Sequence, residues 1–298
     1  MTTVAELITR TRNDYLTPSE PDSRNKLNGA VSDSATTLTF TYPLNGIGDG
    51  SKISLGLEDI HVWTTEEAVR TAEVDRGEYG TTAASHSDGA TVLVNPRYTD
   101  SQIVRALNAS VSMMTTEGIH AYSTVELTHD SSVNGYDLTS STKFLDVTEA
   151  YWEAVDTTAK AWRRLPVQIL RDANTADFAS GTGILVNHAI PNGVTIRVKY
   201  SHELDPSLAA LTDVVETVTG LEASAVDILC IGAALTLTAG KEIALNETDS
   251  ARPRRSRDVP PGSFSQADSN LQSLWRSRVR AERGRLNRKH NRSRVRQF

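Results

Sequence analysis

The hydrophobic period of this chain switches repeatedly between helix-like and strand-like spacing, and that switching limits the fold more than any other feature. Val4, Leu7, Ile8, Tyr15 and Leu16 share one helical face, with Thr3 and Glu6 placed as a capping box. A loop rich in Pro, Ser, Asp and Asn follows, from Thr17 to about Ala35. The period then falls to two. Leu38, Phe40 and Tyr42 alternate with threonines, and Ile53, Leu55 and Leu57 alternate with Lys, Ser and Gly. Gly46, Gly48 and Gly50 supply turn chemistry, and short strands are expected at Ile60–Trp63, Val69–Val74 and Thr91–Val94. Behind a cap at Thr99 or Asp100, the residues Ile103, Val104, Leu107, Val111 and Met114 restore the helical stripe. Strand-like segments resume from His120 to His202, with turns at Asn134-Gly135 and Asn192-Gly193. From Leu221 to about Asn246 the chain is apolar nearly all round, as suits a helix covered by several neighbours.

The order helix, β, helix, β, helix predicts an α+β fold: a helical bundle with two antiparallel β insertions and a C-terminal basic helix. The expected divisions are an N-terminal helix and loop (1–35), a first β insertion (36–96), a bundle helix (97–118) and a second β insertion (119–205). A second bundle helix (206–250), a Pro/Arg linker (251–264) and the basic helix and tail (265–298) complete the chain. Pro253, Pro260 and Pro261 prevent the linker from being helical throughout.

Charge separates along the same line. The 298 residues carry 31 Lys+Arg against 37 Asp+Glu, a net charge of −6. Residues 251–298 hold thirteen Arg, one Lys and three acids, or +11, which leaves −17 on the first 250 residues. An acidic body with a cationic tail is the pattern of an interaction segment. The tail's thin apolar stripe, around Leu271, Leu274 and Trp275, gives a helix-in-groove anchor. The candidate docking residues are therefore Leu271, Leu274, Trp275, Arg276, Arg278, Arg280, Arg283 and Arg285, facing a protein partner or a neighbouring subunit. Direct contact with DNA phosphates is the alternative.

Motifs for catalysis or cofactors do not assemble. Ser140 and Lys143 have the S-x-x-K spacing without its companion motifs. His86 and Asp88 offer two metal ligands without an evident third, and read instead as a polar turn whose histidine bonds to the backbone. Gly46-Ile-Gly-Asp-Gly50 lacks the Gly-Lys-Ser/Thr end of a phosphate loop. One cysteine, Cys230, excludes an internal disulfide and a multi-cysteine zinc site. No enzyme, cofactor, metal or membrane role is expected, and no signal peptide is evident at the N-terminus.

The segment from Ala72 to Val94 is the most informative. It reads as a strand, a turn at Arg76-Gly77, a small-residue connection, a turn at Asp88-Gly89 and a returning strand. Arg76, Gly77, Gly80, Thr81, Ala83, His86, Gly89 and Val92 resemble the pattern V-x-R-G-x-x-G-T-x-A-x-x-H-x-x-G-x-x-V of virion proteins of tailed bacteriophages. The stretches Ser51–Glu58, Ile60–Trp63, Asn174–Gly181, Ile231–Ala234 and Ala239–Glu242 are similar to proteins encoded with head and neck genes of actinobacterial phages. The Val259–Gly262 linker before an Arg-rich helix is similar to head-to-tail adaptors. The resemblance implies a structural hairpin, not an active site, in a head-to-tail connector of the virion neck made in the host cytoplasm. It further implies a homo-oligomeric ring, a dodecamer matching the portal, between portal protein and stopper or tail proteins. Double-stranded DNA would pass transiently through an acidic channel that repels its phosphates. Stopper, tail-terminator or minor tail protein is the alternative within the class, and a DNA-binding packaging module lies further off. The β insertions depart from small, almost wholly helical adaptors.

Overall fold

The alternating residues between 23 and 94 do not decorate a bundle; they curl a sheet on itself and make their own interior. The computed structural model describes residues 1–16, 22–138, 144–155, 160–249 and 263–290. The chain forms two compact units, one from residues 1–111, 206–218 and 225–276, the other from 112–205, 219–224 and 277–298.

The first unit contains β1 (Ser23–Lys26), β2 (Thr37–Thr39), β3 (Lys52–Leu55), β4 (Glu58–Glu66), β5 (Thr71–Glu78) and β6 (Thr91–Val94). They form one antiparallel sheet in the order β1-β6-β3-β4-β5-β2, curled into a half-barrel. Its two edges meet at a bridge between Leu27 and Phe40, where Asn28 N–H donates to Thr39 O at 2.8 Å and Thr41 N–H to Lys26 O at 2.9 Å. Edge closure of this kind removes unpaired backbone groups. Inside lie Leu27, Leu38, Phe40, Ile53, Leu55, Ile60, Val62, Val74, Val92 and Val94, the period-two residues.

Helices flank the sheet in sequence. α1 (Val4–Arg10) runs into a π-helical turn at Thr11–Tyr15. Thr3 and Glu6 form the expected capping box, each side chain bonded to the other's backbone N–H. α2 spans Asp100–Thr116, and Thr99 and Gln102 exchange the same reciprocal pair of bonds at its start. α3 (Val215–Thr219), α4 (Val226–Asp249) and α5 (Ser263–Lys289) follow. The first turns of α4 are buried all round, from Val226 to Leu235 except for half-exposed Asp227.

The second unit packs two antiparallel sheets over one cluster. β7 (Ala121–Thr128), β9 (Phe144–Val155), β10 (Lys160–Arg164) and β13 (Thr195–His202) pair in the order β10-β9-β13-β7. β8 (Gly135–Asp137), β11 (Val167–Leu170) and β12 (Gly183–Val186) pair as β11-β12-β8. Val147, Ala150, Ile196 and Val198 from the larger sheet meet Val167, Ile184 and Val186 from the smaller. Phe178 lies on Gly135 and Gly183, where an added Cβ would come within 2.8 and 2.6 Å of its ring.

The helical bundle with β insertions is overturned. The structure is mostly β, three antiparallel sheets with about 30% helix. Each β unit buries its own apolar face and most of the architecture is sheet; the helices that do meet, α1 and its π-helical turn against α4, and Trp275 of α5 beside α4 and α2, are the smaller part of the fold. α1 is also only seven residues long. Two strands fall where loop or turn was expected. β1 lies within the polar segment before Ala35, and β8 starts at the Asn134-Gly135 turn. The 251–264 linker, apart from its last two residues, and the Ser140–Lys143 motif lie outside the described residues. Among the described residues no helix is long and apolar enough to cross a membrane.

Candidate functional site

The hairpin motif converges on a residue outside it. Glu58, first in β4 and 1% exposed, receives both arms of the Arg76 guanidinium, Nε to Oε1 at 2.6 Å and Nη2 to Oε2 at 2.7 Å. His86 Nε2 lies 2.8 Å from Oε2, and the backbone N–H groups of Gly77 and Ala84 donate at 3.1 and 3.2 Å. Arg76 also donates to the carbonyls of Ser32 and Ala84, at 2.8 and 2.7 Å, tying the loop before β2 to the connection after β5. Burial alone would push the Glu58 carboxyl up; the hydrogen bonds from His86 and Arg76 outweigh it and hold it at about 2. A carboxylate so fully engaged is a poor proton acceptor. The chemistry here is a buried lock, not acid–base catalysis.

The remaining motif residues serve the same hairpin. The strand continues through Arg76-Gly77, contrary to the expected turn there, and reverses at Tyr79-Gly80, both at positive φ. Gly77 has φ +66° within β5, and an added Cβ would stand 2.9 Å from Ala83 N. Thr81 Oγ1 accepts from Asp59 N–H at 3.0 Å and donates to Glu78 O at 2.8 Å. Arg105 Nη2 donates to the carbonyls of Tyr79 and Gly80, at 2.9 and 3.1 Å. Gly89 turns at φ +74° as expected, and Asp88, beside it, accepts from Gly29 N–H at 2.7 Å. The histidine's side chain therefore bonds a buried carboxylate rather than the backbone, and Asp88 faces a different partner. Among the described residues no group of three metal-ligating side chains converges.

A second polar cluster fixes the start of α2. Asp59, also 1% exposed, accepts through Oδ2 from Lys52 Nζ at 3.1 Å, Thr99 Oγ1 at 3.1 Å and Ser101 Oγ at 3.0 Å. Asp100 beside it is pushed up by burial, against the pull of Arg12 at 2.7 Å. Cys230 is fully buried, and burial pushes its thiol up, so it is no nucleophile.

The expected docking residues of α5 divide. Trp275 is buried against Gly232 of α4 and Ser110 of α2; an added Cβ on Gly232 would lie 3.0 Å from the indole nitrogen and 2.1 Å from Ser110 Oγ. Val279 and Leu286 are buried too, whereas Leu271 is half-buried and Leu274 is 45% exposed. Arg285 is held by Glu282 at 2.6 Å and Glu222 at 2.7 Å. Lys289 adds a 2.8 Å bond to Glu222, and His290 stacks on Tyr122 at 3.7 Å. Burial would raise Glu222; the bonds from Lys289 and Arg285 hold it at about 2. Arg276, Arg278, Arg280 and Arg283 remain exposed. Of the apolar anchor expected for a partner groove, Trp275 is thus used within the chain while Leu274 stays exposed, and four of the five docking arginines are left outside.

Sequence reasoning missed Glu58, Asp59 and Glu222. Glu58 and Asp59 stand at the head of β4, and their significance depends on groups up to 42 residues away, so no local pattern marks them. No protein-family model matches the chain, and no curated protein matches it.

Proposed function

We propose that this chain is a non-enzymatic structural protein of a tailed-phage virion, a head-to-tail connector component that forms a ring in the neck. The observation that carries this reading is the Glu58 lock. Arg76, Gly77 and His86, the residues through which the chain resembles phage virion proteins, are consumed in tying a hairpin. A reactive site would leave an atom for substrate; a component that must hold its shape in an assembly gains from a buried ionic tie. The acidic body would keep DNA phosphates moving through the ring, and α5 would carry the cationic contact surface. A second reading within the same class, a stopper, tail-terminator or minor tail protein, draws on the three antiparallel sheets, which depart from small helical adaptors.

Native mass spectrometry of the purified full chain, alone and with the portal of the same particle, tests the reading. A closed homo-oligomer that binds portal is the expected result, and a six-fold ring that binds tail tube instead selects the second position. A chain that stays monomeric with every neck and tail partner overturns the proposal.

A further inference from the structure

The outer face of the β4–β5 hairpin is acidic and has an exposed aromatic at its centre. Glu73 and Asp75 alternate outward on β5 while Ala72 and Val74 point into the core. Across the ladder they oppose Thr64 and His61 of β4. Between those two positions the register of β4 shifts at Trp63, which is 55% exposed and meets His61 edge-on at 4.6 Å. On the other side β5 pairs with β2, whose Thr37 and Thr39 stand opposite Glu73 and Thr71. Neither β2, β4 nor the outward positions Thr71, Glu73 and Asp75 of β5 contribute a lysine or arginine to this face. Among the described residues no cation pairs with Glu73 or Asp75. The nearby Arg70, at the hairpin turn, donates to Thr41 O at 2.8 Å.

The complement lies on α5. Arg276, Arg280 and Arg283 recur at i, i+4 and i+7, so they form one stripe about 10 Å long. All three are exposed and, among the described residues, none has an acidic partner, in contrast to Arg285. The stripe is about a quarter turn away from Trp275, Val279 and Leu286, the positions already buried within the chain.

We propose that the Arg276–Arg280–Arg283 stripe of one copy docks on the Trp63–Glu73–Asp75 face of a second copy. This rests on the ring reading above and names its contact. Arg276 and Arg280 are about 6 Å apart along the helix, and Glu73 and Asp75 about 7 Å apart along the strand, so two charge-assisted pairs form in register. Trp63 offers its ring face to the third guanidinium. Duplex DNA fits the stripe less well, because the first 250 residues carry a net charge of −17 and repel a polyanion. A helix and a hairpin on different parts of one subunit make a head-to-tail contact, the kind that closes into a ring.

Sedimentation velocity on the full chain tests it with two charge-reversed proteins: Arg276→Glu/Arg280→Glu/Arg283→Glu, and Glu73→Arg/Asp75→Arg. All five positions are exposed, and thermal melts check that each variant folds as the wild type does. The wild type is expected to associate, with affinity falling as salt rises. Each variant alone should lose at least about tenfold in self-affinity, since like charges then face each other. An equimolar mixture should regain association, because every contact in an alternating ring is again complementary. Wild-type association of both variants would overturn this interface and leave the ring reading standing. Loss in the α5 variant alone, together with loss of duplex-DNA binding, would overturn it in favour of phosphate contact. A wild type that is monomeric at every concentration would overturn both.

Discussion

Replacing Glu58 by Gln keeps the side chain's shape and removes its charge. The carboxyl sits at about 2 in the folded chain against an ordinary value of 4.5. At about 1.4 kcal/mol per pH unit, that difference contributes roughly 3 kcal/mol at neutral pH. The folded value is depressed, so this stability is fully present above pH 4.5 and is lost as pH falls towards 2. Glu58→Gln should therefore be about 3 kcal/mol less stable than wild type at pH 7, with the gap narrowing below pH 4.5. Urea titrations from pH 7 to 2.5, read by hydrogen exchange of peptides covering residues 52–94, isolate the half-barrel from the rest of the chain. A gap that stays constant across that range, or no gap at pH 7, refutes the lock as the source of the hairpin's stability.

Other positions give independent tests. Gly77→Ala places a Cβ 2.9 Å from Ala83 N at φ +66° and should destabilise the half-barrel by about 2 kcal/mol or more, measured by the same exchange experiment. Gly232→Ala brings a Cβ to 2.1 Å from Ser110 Oγ and should displace Trp275, seen as a red shift in its emission; adding Ser110→Gly should reverse the shift. Glu222→Gln removes the charge and one of the two oxygens that hold Arg285 and Lys289, so amides 280–289 should exchange faster at pH 7. Since Glu222 is held at about 2, the wild type should approach the variant's exchange as pH falls below 4.5.

What the sequence disclosed depended on how local the cause was. The capping box at Thr3/Glu6 and the cap at Thr99 need only a few neighbouring residues each, and the strand Thr91–Val94 is announced by its own β-branched run. β1, Ser23–Lys26, has no apolar alternation; it is a strand because β6 pairs with it and because Asn25 donates to the carbonyls of Tyr42 and Pro43. The bundle expectation failed for a related reason. Periodicity tells which face of an element is apolar but not what covers it, and here the half-barrel covers itself while the other two sheets cover each other. In the candidate site, Arg76 and His86 stood out through the resemblance of their segment, whereas the carboxylate between them did not. Trp275 was legible as an anchor, but only packing reveals that its groove lies in the same chain, against Gly232.

Electron cryomicroscopy of the intact particle tests the central claim most directly. The account predicts density for this chain as a closed ring at the neck, with the α5 arginine stripe of each subunit against the β4–β5 hairpin of its neighbour. Density for the chain away from the head–tail junction, or its absence from the particle, would contradict it.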